Sequence, residues 1–173
     1  MMSSSDKAVR VLGTFTYSQE ERQRFRTAFL WQKWARLYPA LFDADDCRIA
    51  KTQARLGYHF FEWLAAIRIY ETTGYLSLVE KYEFKAHQRK HLIAKKLLPS
   101  NVQEILSHRN RQCRVQCPDL LAYAANFSDW YFCEVKADKD FLRKEQLEFF
   151  EKLAAATGKQ VSLINYSKGD VLS

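Results

Sequence analysis

Phe25, Phe29, Trp34 and Leu37 follow Ser18-Gln19-Glu20-Glu21, a capping-box pattern with Ser18 as N-cap and Glu21 three residues later. The pattern predicts a helix that ends near Pro39. Asp45 or Asp46 opens a second, long helix that Gly74 stops. Leu56, Phe60, Trp63, Ile67 and Tyr70 recur along it at helical spacing, so most of that stripe is expected in the core. Tyr75–Phe84 reads as a strand, with a helix as the alternative. Residues 86–98 and 101–108 read as short helices broken by Pro99-Ser100. Two strand-like runs, Arg114–Ala124 and Asp129–Ala137, are joined by Asn126-Phe127-Ser128. Asp138 or Asp140 then caps an amphipathic helix through Ala156, Gly158 ends it, and Gln160–Tyr166 is a closing strand. Residues 1–17 read as a loose or strand-like lead-in.

This order is that of an α/β protein. A chain of 173 residues with 47% apolar positions suits one domain with arms, and 5 Gly and 3 Pro exclude a disordered or collagen-like chain. No apolar run approaches the ~18 residues of a membrane span. The start, Met1-Met2-Ser3-Ser4-Ser5-Asp6, lacks the apolar core of a signal peptide. An intracellular, cytoplasmic protein is expected. Cys47, Cys113, Cys117 and Cys133 form no CxxC pair and read as reduced core thiols. Cys113 and Cys117 near His108 have poor spacing for a structural zinc.

Charge changes the picture. Lys85, Arg89, Lys90, Lys95, Lys96, Arg109, Arg111 and Arg114 face only Glu104 between residues 85 and 114, which equals the whole formal excess of +7. Such a block attracts phosphate, although a solvated helix face reads equally well from charge alone.

The candidate chemistry lies in Pro118-Asp119, Glu134-Val135-Lys136 and Gln146. A hairpin register pairing Asp119 with Lys136 and Leu121 with Glu134 places Asp119, Glu134 and Lys136 on one face. Two carboxylates crowded together call for a cation, and a hard divalent ion such as Mg²⁺ takes oxygen ligands of this kind. Lys136 would then orient water or stabilise negative charge. The bland alternative is a Glu/Asp–Lys cluster on an edge strand. Alternation turns Cys133 away from Glu134. Leu142, Gln146, Phe149 and Leu153 fall on one helical face, which puts the Gln146 amide inward, where it needs partners.

From about Arg114 to Tyr166 these residues resemble the PD-(D/E)XK nuclease superfamily, and within it the virus-type replication-repair nuclease (VRR-NUC) domain. The Glu-Val-Lys motif followed ten residues after Lys136 by Gln146 is the specific part. Gln116-Cys117 and Ala137 stand where that family often has Gly. The resemblance implies a restriction-endonuclease-like core, with a mixed central sheet flanked by helices, over residues 46–173, preceded by an N-terminal helical arm over 1–45. It implies Asp119 and Glu134 as metal ligands, joined by the Val135 carbonyl, with Lys136 as catalytic lysine and Gln146 in support. The superfamily's further acidic residue on the first core helix matches Glu62 best, beside the second apolar face of Ala65, Ala66 and Ile69. The implied function is Mg²⁺- or Mn²⁺-dependent hydrolysis of DNA phosphodiesters, on branched or structured DNA of the repair or resolvase kind. A homodimer, nucleoid-associated when bound to DNA, is the implied form. The alternative is a non-catalytic nucleic-acid-binding module that keeps the nuclease fold.

Overall fold

The computed structural model describes residues 8–112 and 116–169. Five strands form one mixed sheet in the order β1-β5-β4-β3-β2. The edge strand β1 (Val9–Tyr17) runs parallel to β5 (Val161–Lys168), which runs parallel to β4 (Trp130–Ala137). Next, β4 is antiparallel to β3 (Leu120–Tyr123), and β3 to β2 (Leu76–Val79). Helices α1 (Gln19–Thr27), α2 (Leu30–Leu37), α3 (Ala44–Gln53) and α4 (Phe60–Thr73) build one core. They pack with Val79, Leu120, Ala122, Cys133, Val135, Ile164 and Tyr166. The other core joins α5 (Gln88–Leu97), α6 (Ser100–Gln112) and α7 (Lys144–Thr157) to Leu78, Leu121, Tyr123, Phe132 and Val161. The protein is therefore α/β, a five-stranded mixed sheet flanked by helices. The first 45 residues supply both an edge strand and part of the first core.

Both helices predicted between Ser18 and Gly74 are broken. At 100° per residue, Phe25 and Trp34 would project from opposite sides of one straight helix. Phe29, with φ 53, turns the chain between α1 and α2, and both rings then meet Phe60, at 5.4 and 5.9 Å. Phe29 and Leu37 are left exposed. The second helix breaks at a left-handed turn, with Gly57 at φ 80 and His59 at φ 68. Glycine takes that conformation at no steric cost. Asp43 rather than Asp45 or Asp46 is the N-cap of α3, in a capping box with Asp46. Leu56 is exposed, whereas Phe60, Trp63 and Ile67 of the same stripe are buried.

Three further boundaries differ. The strand expected over 75–84 stops at Val79, because Glu80 and Lys81 are left-handed at φ 48 and 57. Among the described residues of the run from Arg114 to Ala124, which begin at Gln116, the strand is Leu120–Tyr123. The helix expected from Asp138 or Asp140 begins at Lys144 instead, with Arg143 as N-cap. Asp138 is occupied elsewhere: it accepts from Tyr17 Oη at 2.8 Å and from the Lys168 N–H at 3.2 Å. Cys117 and Cys133 are buried on opposite faces and Cys47 is half-buried. Among the described residues no helix is long and apolar enough to cross a membrane.

Lys90 is a correction to the basic block. It is only 3% exposed, and its ammonium sits 2.5 Å from Asp46 and 2.6 Å from the Val79 carbonyl. A buried ammonium on a buried carboxylate has no charge left for phosphate. It ties α5 to α3 and to the end of β2. Removing one partner of such a pair strands the other, at a cost of about 3–5 kcal/mol. Lys90→Ala should therefore lower the denaturation free energy by that amount, while Lys95→Ala, exposed on the same helix, should change it by no more than about 0.5 kcal/mol. Urea titrations of the two variants read the difference.

Candidate active site

Strand direction gathers the site. Because β3 runs opposite to both β2 and β4, the end of β2, the start of β3 and the end of β4 lie at one edge of the sheet. The N-terminus of α4, which packs on all three strands, is brought to the same edge. The Glu80 N–H donates to the Asp119 carbonyl at 2.8 Å, tying the end of β2 to the start of β3.

The hairpin register is shifted by two from the one expected. Leu120 pairs with Cys133 and Leu121 with Phe132, so Asp119 continues opposite Glu134 rather than Lys136. The cause is the turn. Ala124 N–H bonds the Asp129 carbonyl at 2.9 Å, closing a loop in which Phe127 is left-handed and Asn126 Oδ1 accepts from Ser128. A shift by an even number leaves the facing intact, since side chains alternate with period two. Asp119, Glu134 and Lys136 therefore share the face of Leu121 and Phe132, toward α7, and Cys133 and Val135 point into the α4 core.

Beyond Leu120–Cys133 the ladder continues through side chains. Asp119 Oδ2 accepts from the Val135 N–H at 2.8 Å, and the Glu134 carboxylate accepts from the Asp119 N–H. Each carboxylate thus fills a backbone hydrogen-bonding position on the neighbouring strand. Glu134 Oε1 also takes Lys136 Nζ and Gln146 Nε2, both at 2.9 Å. Asp140 Oδ2 stands 3.3 Å from the same ammonium. Glu134 and Lys136 are 3% and 7% exposed, so this pair is shut away from bulk water.

Gln146 does two things. It lies in the first turn of α7, where its Oε1 accepts from the Arg143 N–H at 3.2 Å and its Nε2 donates to Glu134. One amide both caps the helix and holds the carboxylate. Leu142, expected on the same helical face, lies in the segment ahead of the helix.

Glu62 reaches the site from the other layer, in the first turn of α4. Ala65, Ala66 and Ile69 beside it are buried against the sheet, as their spacing predicts. Burial first, and then the charges of Glu80 and Glu134, push the Glu62 carboxyl up to about 7. Burial and the charges of Glu134, Glu62 and Glu80 push Asp119 well above the usual carboxylate range. Glu134 is raised by burial, against the pull of Lys136. Burial works to lower Lys136, but Glu134, Asp140 and Asp119 together raise it, and it stays an ammonium. Four carboxyl groups therefore repel one another at one sheet edge.

Two members of this group were not singled out by the sequence reading. Glu80 was hidden inside a run read as continuous strand, and His59 inside a stripe read as continuous helix. His59 Nδ1 lies 3.0 Å from Glu80 Oε2 and its Nε2 lies 2.9 Å from Gln53 Oε1. The legible signals were Gly57, which interrupts the helix, and the polar pair Glu80-Lys81, which interrupts the apolar run of β2. His59, Glu80 and Lys81 all have positive φ, a strained backbone that costs on the order of 1 kcal/mol per residue and clusters at functional sites.

Of the remaining basic residues, Lys85, Lys95 and Lys96 are exposed. Arg89 is exposed but pairs with Asp43 at 3.1 Å, and Lys96 Nζ sits 4.1 Å from the centre of the Phe127 ring. Arg114 and Cys113 lie outside the described residues, as do the side chains of Arg109 and Arg111. No protein-family model, curated protein or solved structure matches this chain.

The carboxylate crowding has a sign in pH. Glu62 has its folded-state pKa raised above the unfolded value, so the metal-free fold loses stability as pH rises through about 7. Glu62→Gln removes that charge. The variant should be more stable than the parent at pH 8 by on the order of 1–3 kcal/mol, and equal to it near pH 4. Thermal melts in chelator at the two pH values measure this.

Proposed function

We propose that this chain is a metal-dependent DNA nuclease of the PD-(D/E)XK type, similar to VRR-NUC domains, built on a restriction-endonuclease-like core. The observation that carries the reading is the single cluster formed by Asp119, Glu134, Lys136 and Gln146, joined by Glu62 from the opposite layer. A binding module has no need for two interlocked carboxylates, a buried ammonium and an amide fixed between them.

The donor set fits a hard divalent cation, Mg²⁺ or Mn²⁺. Carboxylates raised by burial, and at Asp119 by the neighbouring carboxylates as well, are oxygen ligands in want of positive charge, and Lys136 offsets only part of theirs. Asp119, Glu134 and the Val135 carbonyl would hold the ion, with Glu62 adjoining. Such an ion supplies a nucleophilic water at neutral pH and draws negative charge from a phosphoryl oxygen.

The chain's own groups do the rest. The Val135 N–H fixes Asp119, and the Asp119 N–H and the Gln146 amide fix Glu134, so neither carboxylate reorganises when substrate arrives. Lys136 is kept charged in a nearly dry setting, where an ammonium stabilises a developing phosphorane far more than in water. Asp140 holds that ammonium from its exposed side. Exposed Lys85, Arg89, Lys95 and Lys96 on and before α5 offer phosphate contacts, as do Lys139 and Arg143 in the segment ahead of α7.

The test is cleavage of supercoiled plasmid, flap and four-way-junction DNA in Mg²⁺, with EDTA as control. The parent should cut, and Glu134→Gln should not. Gln146→Leu should cut at least tenfold more slowly in single turnover and lose about 1 kcal/mol of stability, since the amide also caps α7. A Glu134→Gln protein that cuts at the parental rate, or a parent that binds DNA and cuts none of these substrates, would reject the reading.

A further inference from the structure

We propose that His59, Glu62 and Glu80 form a second cation site, one that takes a first-row transition ion such as Mn²⁺ ahead of Mg²⁺ and shares Glu62 with the Asp119–Glu134 site. The proposal rests on the reading above only through that shared carboxylate.

The first ground is convergence. One ligand atom from each of the three residues lies within 4.8 Å of the other two, close enough to close on one ion with small side-chain rotations. Two of them share one helix start, His59 as the N-cap of α4 and Glu62 in its first turn, and Glu80 comes to them from the residue after β2. Their backbones are pinned. The His59 carbonyl accepts from the Trp63 N–H at 3.0 Å, and the Glu80 N–H is held by Asp119.

The second ground is the tautomer. A metal-ligating histidine ordinarily donates its other ring N–H to a carbonyl or carboxylate, which fixes the ring and leaves one lone pair free. Gln53 Oε1, an oxygen that can only accept, lies 2.9 Å from His59 Nε2. The hydrogen therefore belongs on Nε2, and Nδ1 is the nitrogen turned to Glu80. Gln53 is in this sense a positioning residue.

The third ground is donor chemistry. Imidazole nitrogen with two carboxylates suits Mn²⁺, Fe²⁺ or Zn²⁺, whereas Mg²⁺ prefers oxygen alone. The same preference separates this group from the all-oxygen set at Asp119 and Glu134. Glu62 is one of the three converging ligands, its charge is also felt by Asp119, and it would be the carboxylate the two sets share. Paired cations joined by a carboxylate are a recurrent arrangement for phosphoryl transfer.

The test needs no DNA. The full chain, stripped with chelator, is titrated with Mn²⁺ at pH 7.5. Free ion is counted by electron paramagnetic resonance, and bound ion is examined for ¹⁴N coupling by spin-echo modulation. Two ions should bind, one with nitrogen coupling. His59→Asn, chosen because Asn tolerates a left-handed backbone, should abolish the coupling and weaken one ion at least tenfold. Glu80→Gln should weaken the same ion, and Gln53→Leu should weaken it about tenfold through ring orientation alone. Glu134→Gln should weaken the other ion and leave the nitrogen coupling in place. One bound ion without nitrogen coupling would overturn this site and leave the nuclease reading standing. One coupled ion lost in both His59→Asn and Glu134→Gln would show a single site and overturn the proposal. A coupled ion unaffected by Glu134→Gln, with no second ion, would keep this site and remove the metal from the nuclease reading.

Discussion

Mutual repulsion among Asp119, Glu134, Glu62 and Glu80 is the constraint around which this end of the molecule is built. Carboxylates do not gather in a poorly hydrated place by themselves, because burial and like charge both favour the neutral form. Here they are held by hydrogen bonds that are also structural. Asp119 takes the Val135 N–H and Glu134 the Asp119 N–H just beyond the β3–β4 ladder, so turning either carboxylate away strips a backbone N–H of that partner. The Gln146 amide adds a third hold, and it cannot leave without uncapping α7. The sheet thus stabilises the arrangement that electrostatics opposes.

The surrounding topology explains why these side chains meet. Antiparallel β3 between β2 and β4 brings three strand termini to one edge. Left-handed residues at both breaks, His59 before α4 and Glu80-Lys81 after β2, turn side chains toward that edge. The Asp46–Lys90 pair sits behind them and anchors α5 to the end of β2 through the Val79 carbonyl. A lysine counted with the basic block is therefore part of the scaffold.

Much of this was legible in the sequence, for identifiable reasons. Period-two alternation places Asp119, Glu134 and Lys136 on one face for any register offset by an even number, so the site survived an error of two residues in the turn. The spacing of Ala65, Ala66 and Ile69 told that α4 packs on the sheet and left Glu62 beside it. The break at Phe29 was not legible; Gly57 marked the one before α4 and Glu80-Lys81 the end of β2, but the positive φ of Phe29, His59, Glu80 and Lys81 is compelled only by the tertiary structure. The start of α7 was misplaced for a similar reason. Asp138 and Asp140 are good capping residues, but Tyr17 and Lys136, distant in sequence or on another element, claim their side chains. Lys90 could not be told from its exposed neighbours because nothing local marks Asp46 as its partner.

The central claim is that the crowded carboxylates are a cation site, and the melting temperature of the chelated chain with and without Mg²⁺ tests it most directly. An ion bound only by the folded chain stabilises it by about 2.7 kcal/mol at a hundredfold excess over its dissociation constant, several degrees for a domain of this size. With Glu62 raised to about 7 and Asp119 raised well above the usual carboxylate range, protons compete for the same oxygens in acid. Mg²⁺ should therefore raise the melting temperature clearly at pH 8 and little at pH 5.5, and the rise at pH 8 should vanish in Asp119→Asn. No rise at pH 8, or the same rise at both pH values and in the variant, would contradict the account.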